Sequence, residues 1–114
     1  MKTIRAIAKL NIDAKNLTEF EKYAEQCVYA VKEKDQDTMQ YDWYYNEDKS
    51  ECIVFEQYKD SDAVLEHSAN VAEFLGPLLA VSTLTLKVFG APSQTLKKAL
   101  EGFQVEYYNF ELGL

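Results

Sequence analysis

One histidine, two cysteines, two prolines and four glycines are all this 114-residue chain holds of the residues that most often mark a special site or a sharp turn. A lone His67 with no CxxC pair leaves no metal-ligand spacing, so no metal is expected. Cys27 and Cys52 are not closely spaced and fall in a helical and a strand pattern. They read as free, small apolar residues of a reducing compartment, although a contact between them stays open. Long apolar runs are missing too. The longest uncharged stretch begins at Phe74 and is interrupted by Gly76 and Pro77, well short of the ~20 residues that span a bilayer. After Met1-Lys2 the chain enters an alternating pattern with no apolar leader, so the expected location is the cytoplasm. Positive charge is scarce: 12 bases against 19 acids give −7, and no Lys/Arg run offsets that field. Nucleic acid and anionic membrane are therefore not expected partners. No Ser-His-Asp arrangement, P-loop or GxGxxG occurs.

What is present is 47% hydrophobic and 27% charged, an ordinary globular balance for one domain. Residues 3–12 alternate, with Ile4, Ala6, Ala8, Leu10 and Ile12 on one face, the period of a strand. Thr18 with Glu21 three residues on suggests a capping box. Phe20, Ala24, Cys27 and Val31 then form one helical stripe as far as about Lys32. After the polar link 34–37, Met39, Tyr41, Trp43 and Tyr45 alternate with polar neighbours. Residues 46–50 read as a hairpin loop and 51–59 as a third strand. Asp60 or Ser61 opens a second helix, expected to break at Gly76-Pro77 with one further turn beyond. Residues 82–89 alternate again. The order β-α-β-β-α-β predicts an α+β, ferredoxin-like unit over 1–91, an antiparallel four-stranded sheet with both helices on one face. Residues 92–114 form an extension, with a short helix in 93–102 and a strand over 105–112.

The sheet face away from the helices predicts an assembly. It mixes Ile7, Tyr44 and Phe89 with Arg5, Lys9, Asp42, Thr85 and Lys87, while the third strand is apolar on both sides. Such a surface is too apolar for bare water and too charged for a core, and it suits a sheet-to-sheet homodimer. The aromatic tail would reach across the partner as an arm. In the competing reading, a monomer folds the tail over its own sheet.

His67 falls beside the apolar stripe of the second helix, in line with Val71 and Phe74, and so faces the space between helix and sheet. A titratable ring there can exchange a proton with a bound molecule. It can equally be a boundary histidine satisfied by a carbonyl or by Glu56. Trp43, Tyr41, Tyr45, Phe55, Val71 and Phe74 are the expected lining of a pocket for a small apolar or aromatic molecule. Glu56 interrupts an apolar strand and needs compensation, with Arg5, Lys9, Lys87 or His67 available. A salt bridge at the dimer interface is the expected arrangement.

The run FEQYKDSDAVLEHSANVAEFL, with Glu56, Tyr58, Asp60-Ser61 and His67 in order, resembles the antibiotic biosynthesis monooxygenase (ABM) superfamily, as do the first strand and helix and the LKVFGAPS strand end. The resemblance covers roughly residues 3–92. It implies a dimeric α/β barrel with one pocket per subunit. It also implies oxygenation of quinols or polycyclic phenols without metal or flavin, with no cofactor and with His67 as acid/base. Two departures stand out. Ala72 occupies the place where many members carry a second histidine, and the only Trp lies on the second strand, unlike the haem-degrading branch. The same fold also hosts isomerases and proteins with no known chemistry, so the alternative reading is an isomerase or a non-enzymatic small-molecule-binding or interaction module.

Overall fold

The computed structural model describes residues 2–114. Five strands and three α-helices follow one another as β1 (Ile4–Ile12), α1 (Leu17–Lys34), β2 (Thr38–Tyr45), β3 (Glu51–Tyr58), α2 (Ser61–Ala80), β4 (Ser82–Phe89), α3 (Gln94–Ala99) and β5 (Gln104–Tyr108). The strands form one sheet in the order β2-β3-β1-β4-β5. The first four pair antiparallel in the ferredoxin-like manner, as the element order predicts. β5 joins β4 in parallel, which makes the sheet mixed. That direction follows from α3, which carries the chain back along the sheet before β5 begins.

Three local expectations are corrected. α1 begins at Leu17 with Asn16 in the cap position rather than at a Thr18 capping box. The chain enters it through a 3-10 turn, Ala14–Asn16, whose first N–H groups are served by Asp13. α2 does not break at Gly76-Pro77 but continues to Ala80. Proline removes one intrahelical bond there, and burial of Leu78, just beyond it, at 1% exposure holds the last turn on the sheet. The final strand is Gln104–Tyr108, shorter than the 105–112 run of the sequence pattern.

The inner residues of β1 set the centre of the core. Ile4, Ala6, Ala8, Leu10 and Ile12 are all buried beneath the helices. Around them pack the α1 stripe (Phe20, Ala24, Cys27, Val31) and the α2 residues Val71 and Leu78. A second cluster, Ile4, Val88, Leu96 and Leu100, ties α3 to the β4 side. Because side chains alternate, the register places one row Tyr41–Glu56–Ala6–Val88 across the inner face and the next as Trp43–Val54–Ala8–Leu86. The middle of both rows is alanine. Volume is therefore missing at the centre of the sheet, directly under α2.

Candidate functional site

That missing volume is a cavity of about 100 Å³. Ala6 and Ala8 lie at its floor, α2 gives its roof through Val64, His67, Ser68, Val71, Leu75 and Leu78, and Leu96, Leu100 and Phe103 close the α3 end. At the β2–β3 end stand Tyr41, Trp43, Val54, Glu56 and Tyr58. The lining is apolar apart from Glu56, His67, Ser68, the two tyrosine hydroxyls and the Trp43 indole N–H. That is the usual chemistry of a small-molecule site: an apolar body with a few convergent polar groups.

His67 is buried at 7% exposure. Its Nδ1 lies 2.9 Å from Oδ2 of Asp35, a side chain only 2% exposed at the end of α1. Asp35 also accepts Thr38 Oγ1 at 2.6 Å and Asn70 Nδ2 at 2.7 Å. The imidazole is packed between Tyr41 and Tyr58, whose ring centroids lie 4.9 and 5.2 Å away. Nε2 has no hydrogen-bond partner among the described residues, and the residue borders the cavity.

Glu56 faces the same cavity. Arg5, Lys9 and Lys87 extend from the opposite face, where they are exposed, so the expected interface salt bridge does not form. The physical reason is parity along β3: Glu56 shares its face with Val54 and Tyr58, which are buried under the helices. The Tyr58 hydroxyl donates to Glu56 Oε1. Burial pushes the Glu56 carboxyl above its usual range, while His67 and the Tyr58 hydrogen bond pull the other way. Burial and the neighbouring Glu56 also push the Tyr41 and Tyr58 hydroxyls upward. The site thus holds a carboxyl biased towards its neutral, proton-donating form beside an imidazole with a free ring nitrogen. Trp43 Nε1, beside the cavity, is buried and has no partner within hydrogen-bond geometry among the described residues.

Of the residues singled out by sequence, His67, Trp43, Tyr41 and Val71 meet at this cavity. Tyr45 shares the inner face but borders a separate groove along α1, with Glu21, Glu25 and Lys32. Phe74 packs with Cys27, Ala30 and Val31 on the α1 side. Phe55 lies on the other face of the sheet, 40% exposed and edge-on to Tyr44. These three do not line the cavity. Sequence reasoning passed over Asp35, Thr38 and Asn70. Asn70 sits three residues after His67, the spacing of a shared helix face, whereas Asp35 lies in a polar link 32 residues away with no local signal.

The fold has close relatives among solved structures. MupZ from Pseudomonas fluorescens superposes with a TM-score of 0.86 at 18% identity, covering 100% of this chain and 94% of that one. Rv0793 from Mycobacterium tuberculosis gives 0.71 at 15% identity, with coverage of 82% and 98%. SnoaB, a cofactor-independent oxygenase from Streptomyces nogalater, gives 0.68 at 14% identity, with coverage of 82% and 97%. At such identities the likeness is one of fold. No curated protein matches the sequence significantly. The family model for antibiotic biosynthesis monooxygenases matches residues 3–74. That stretch is more than half of the chain, and the chain belongs to the antibiotic biosynthesis monooxygenase family.

Proposed function

We propose that this protein is a cofactor-independent monooxygenase for a quinol or other phenolic small molecule, working as a cytoplasmic homodimer, with His67 as the proton acceptor. The observation that carries the reading is the free Nε2 of a buried, anchored imidazole at the edge of an apolar cavity. Nε2 takes the hydroxyl proton of the bound phenol. The resulting phenolate is electron-rich enough to reduce dioxygen itself. The ring carbon bonds to the reduced oxygen and the peroxide takes back the proton held on Nε2. Loss of the C–H proton from that carbon then breaks the O–O bond, leaving one oxygen atom as a carbonyl and releasing the other with that proton as water. The protein supplies orientation, a dry surrounding and the base. The family supports this chemistry, as does the fold shared with SnoaB, which is described as a cofactor-independent oxygenase. Two buried free cysteines, each pushed up to about 11 chiefly by burial, fit a reducing compartment.

Glu56 favours a second reading. A carboxyl biased towards the protonated form next to a base is the pairing that moves a proton between two atoms of one substrate, as an isomerase does, without oxygen. An oxygen electrode separates the two. With a panel of quinols and naphthols, uptake above the spontaneous rate that falls about a hundredfold or more in His67→Ala supports the oxygenase. Binding with no uptake by the wild-type protein across the panel overturns it in favour of the isomerase or of a binding module.

A further inference from the structure

We infer that Asp35 is the positioning residue of this site: it holds the proton of His67 on Nδ1 and so keeps the Nε2 lone pair turned to the cavity. The inference rests on the reading of His67 as a proton acceptor and adds the group that makes it one.

The hydrogen-bond inventory points to the direction once Asp35 is read as the acceptor of all its contacts. An ionised carboxylate only accepts, and three side chains converge on Asp35: Thr38 Oγ1, His67 Nδ1 and Asn70 Nδ2. Nδ1 must therefore carry the proton in that contact. In a neutral imidazole the other nitrogen is then the acceptor. Left alone, a neutral histidine side chain prefers the opposite tautomer, with the proton on Nε2, which would turn a donor towards the cavity. Asp35 reverses that preference.

Asp35 is also poorly placed for a merely structural purpose. It follows directly on the C-terminus of α1, where the helix dipole disfavours an anion, and its side chain is 2% exposed. Burying a carboxylate is costly, and among the described residues no Lys or Arg pairs with it; neutral donors and the imidazole satisfy it instead. The joint between this link and α2 has a second tie that does not need Asp35, from the Gln36 N–H to Glu66 Oε1 at 3.0 Å. The packed rings of Tyr41 and Tyr58 hold the imidazole in place, so the carboxylate decides which nitrogen is bare.

The chain has one histidine, which makes the test direct. In ¹⁵N-labelled protein at about pH 8, above the ordinary imidazole range, the two ring nitrogens report the tautomer without any ligand. The expected wild-type result is a protonated Nδ1 and a bare Nε2. Asp35→Ala should lower the ratio of Nδ1–H to Nε2–H about tenfold or more, since a bond to a charged acceptor is lost. Asp35→Leu, which is of similar size and has no acceptor, takes its place if the alanine variant does not fold. Thr38→Val and Asn70→Leu loosen the same network but keep the carboxylate, and should leave the tautomer unchanged. A wild-type His67 with its proton on Nε2 overturns the inference. So does a folded Asp35 variant that keeps Nδ1–H, or a shift in the two controls as large as that in Asp35→Ala, which would mark a structural clamp. Oxygen uptake plays no part in these measurements, so an inactive substrate panel and a wrong tautomer are separate failures.

Discussion

Glu56 shows how one side chain takes its chemistry from its surroundings. In sequence it is a charge in an apolar strand, and charge suggested a salt bridge. In the fold its neighbours are Ala6, Tyr41, Tyr58 and His67, and burial raises its pKa. The sign of the consequence follows from proton linkage. With the folded value above the unfolded one, near 4.3 in a free side chain, the native state binds the proton more tightly. The stabilisation from this group is complete below the unfolded value and is lost as pH rises through the folded one. Each pK unit of elevation is about 1.4 kcal/mol. Glu56→Gln preserves the shape and an acceptor for Tyr58 but cannot ionise. Urea melts should therefore show that the variant loses less stability than wild type as pH rises above the ordinary carboxylate range. Equal slopes would mean that Glu56 titrates normally.

At the scale of elements, two alanines set the depth of the site. Ala6 and Ala8 leave the centre of β1 low, and Ala8 stands between Val54 and Leu86 in the row that also holds Trp43. Ala8→Leu should fill the cavity. The single Trp43 gives the readout: 2-naphthol should quench its fluorescence saturably in wild type and not in the variant, while the variant still melts cooperatively. Retained quenching would place the ligand elsewhere. Gly90 ends β4 at φ +122°, and a Cβ there would lie 2.9 Å from the Thr3 carbonyl oxygen. Gly90→Ala should cost about 1–3 kcal/mol in thermal or denaturant unfolding. Gly76, inside α2 with nothing within 4 Å of its added Cβ, provides the contrast. Gly76→Ala should stabilise by about 0.5–1 kcal/mol. Strand and helix identities were legible beforehand because periods of two and of 3.6 are local. The passage of α2 through Pro77 was not, since it depends on Leu78 being anchored by strands distant in sequence.

For the whole molecule, the outer sheet face is the feature left without a covering layer in the single chain. Tyr44 and Phe55 form one aromatic pair, Phe89 and Tyr108 another, with Ile7 and Ile53 between charged residues. Tyr44 remains 56% exposed. The proposed homodimer covers this face, with the C-terminal extension 92–114, whose last residues carry exposed apolar side chains, as the proposed arm across the partner. Phe55→Asp places a second acid beside Asp42, which pairs with it in the register. Sedimentation or light scattering should then show a dissociation constant raised about tenfold or more, the effect of losing a central aromatic anchor. A wild-type protein that is monomeric at micromolar concentration would remove the homodimer from the proposal.

The amino-acid sequence by itself determined the order of elements, the two faces of the sheet, the family and the position of His67 on the inner side of α2. The elements, the faces and the place of His67 are written in spacing within single elements, where alternation or a helical stripe needs no knowledge of the rest, and the family in the resemblance of the run that joins β3 to α2. Tertiary structure alone decided that Glu56 turns to the cavity beside His67, that Phe55 and Phe74 stay out of it, and that Asp35, 32 residues away, grips the imidazole. Those outcomes depend on which strands lie side by side and where the loop after α1 closes onto α2. Such contacts are set by long-range packing, and no local pattern carries them.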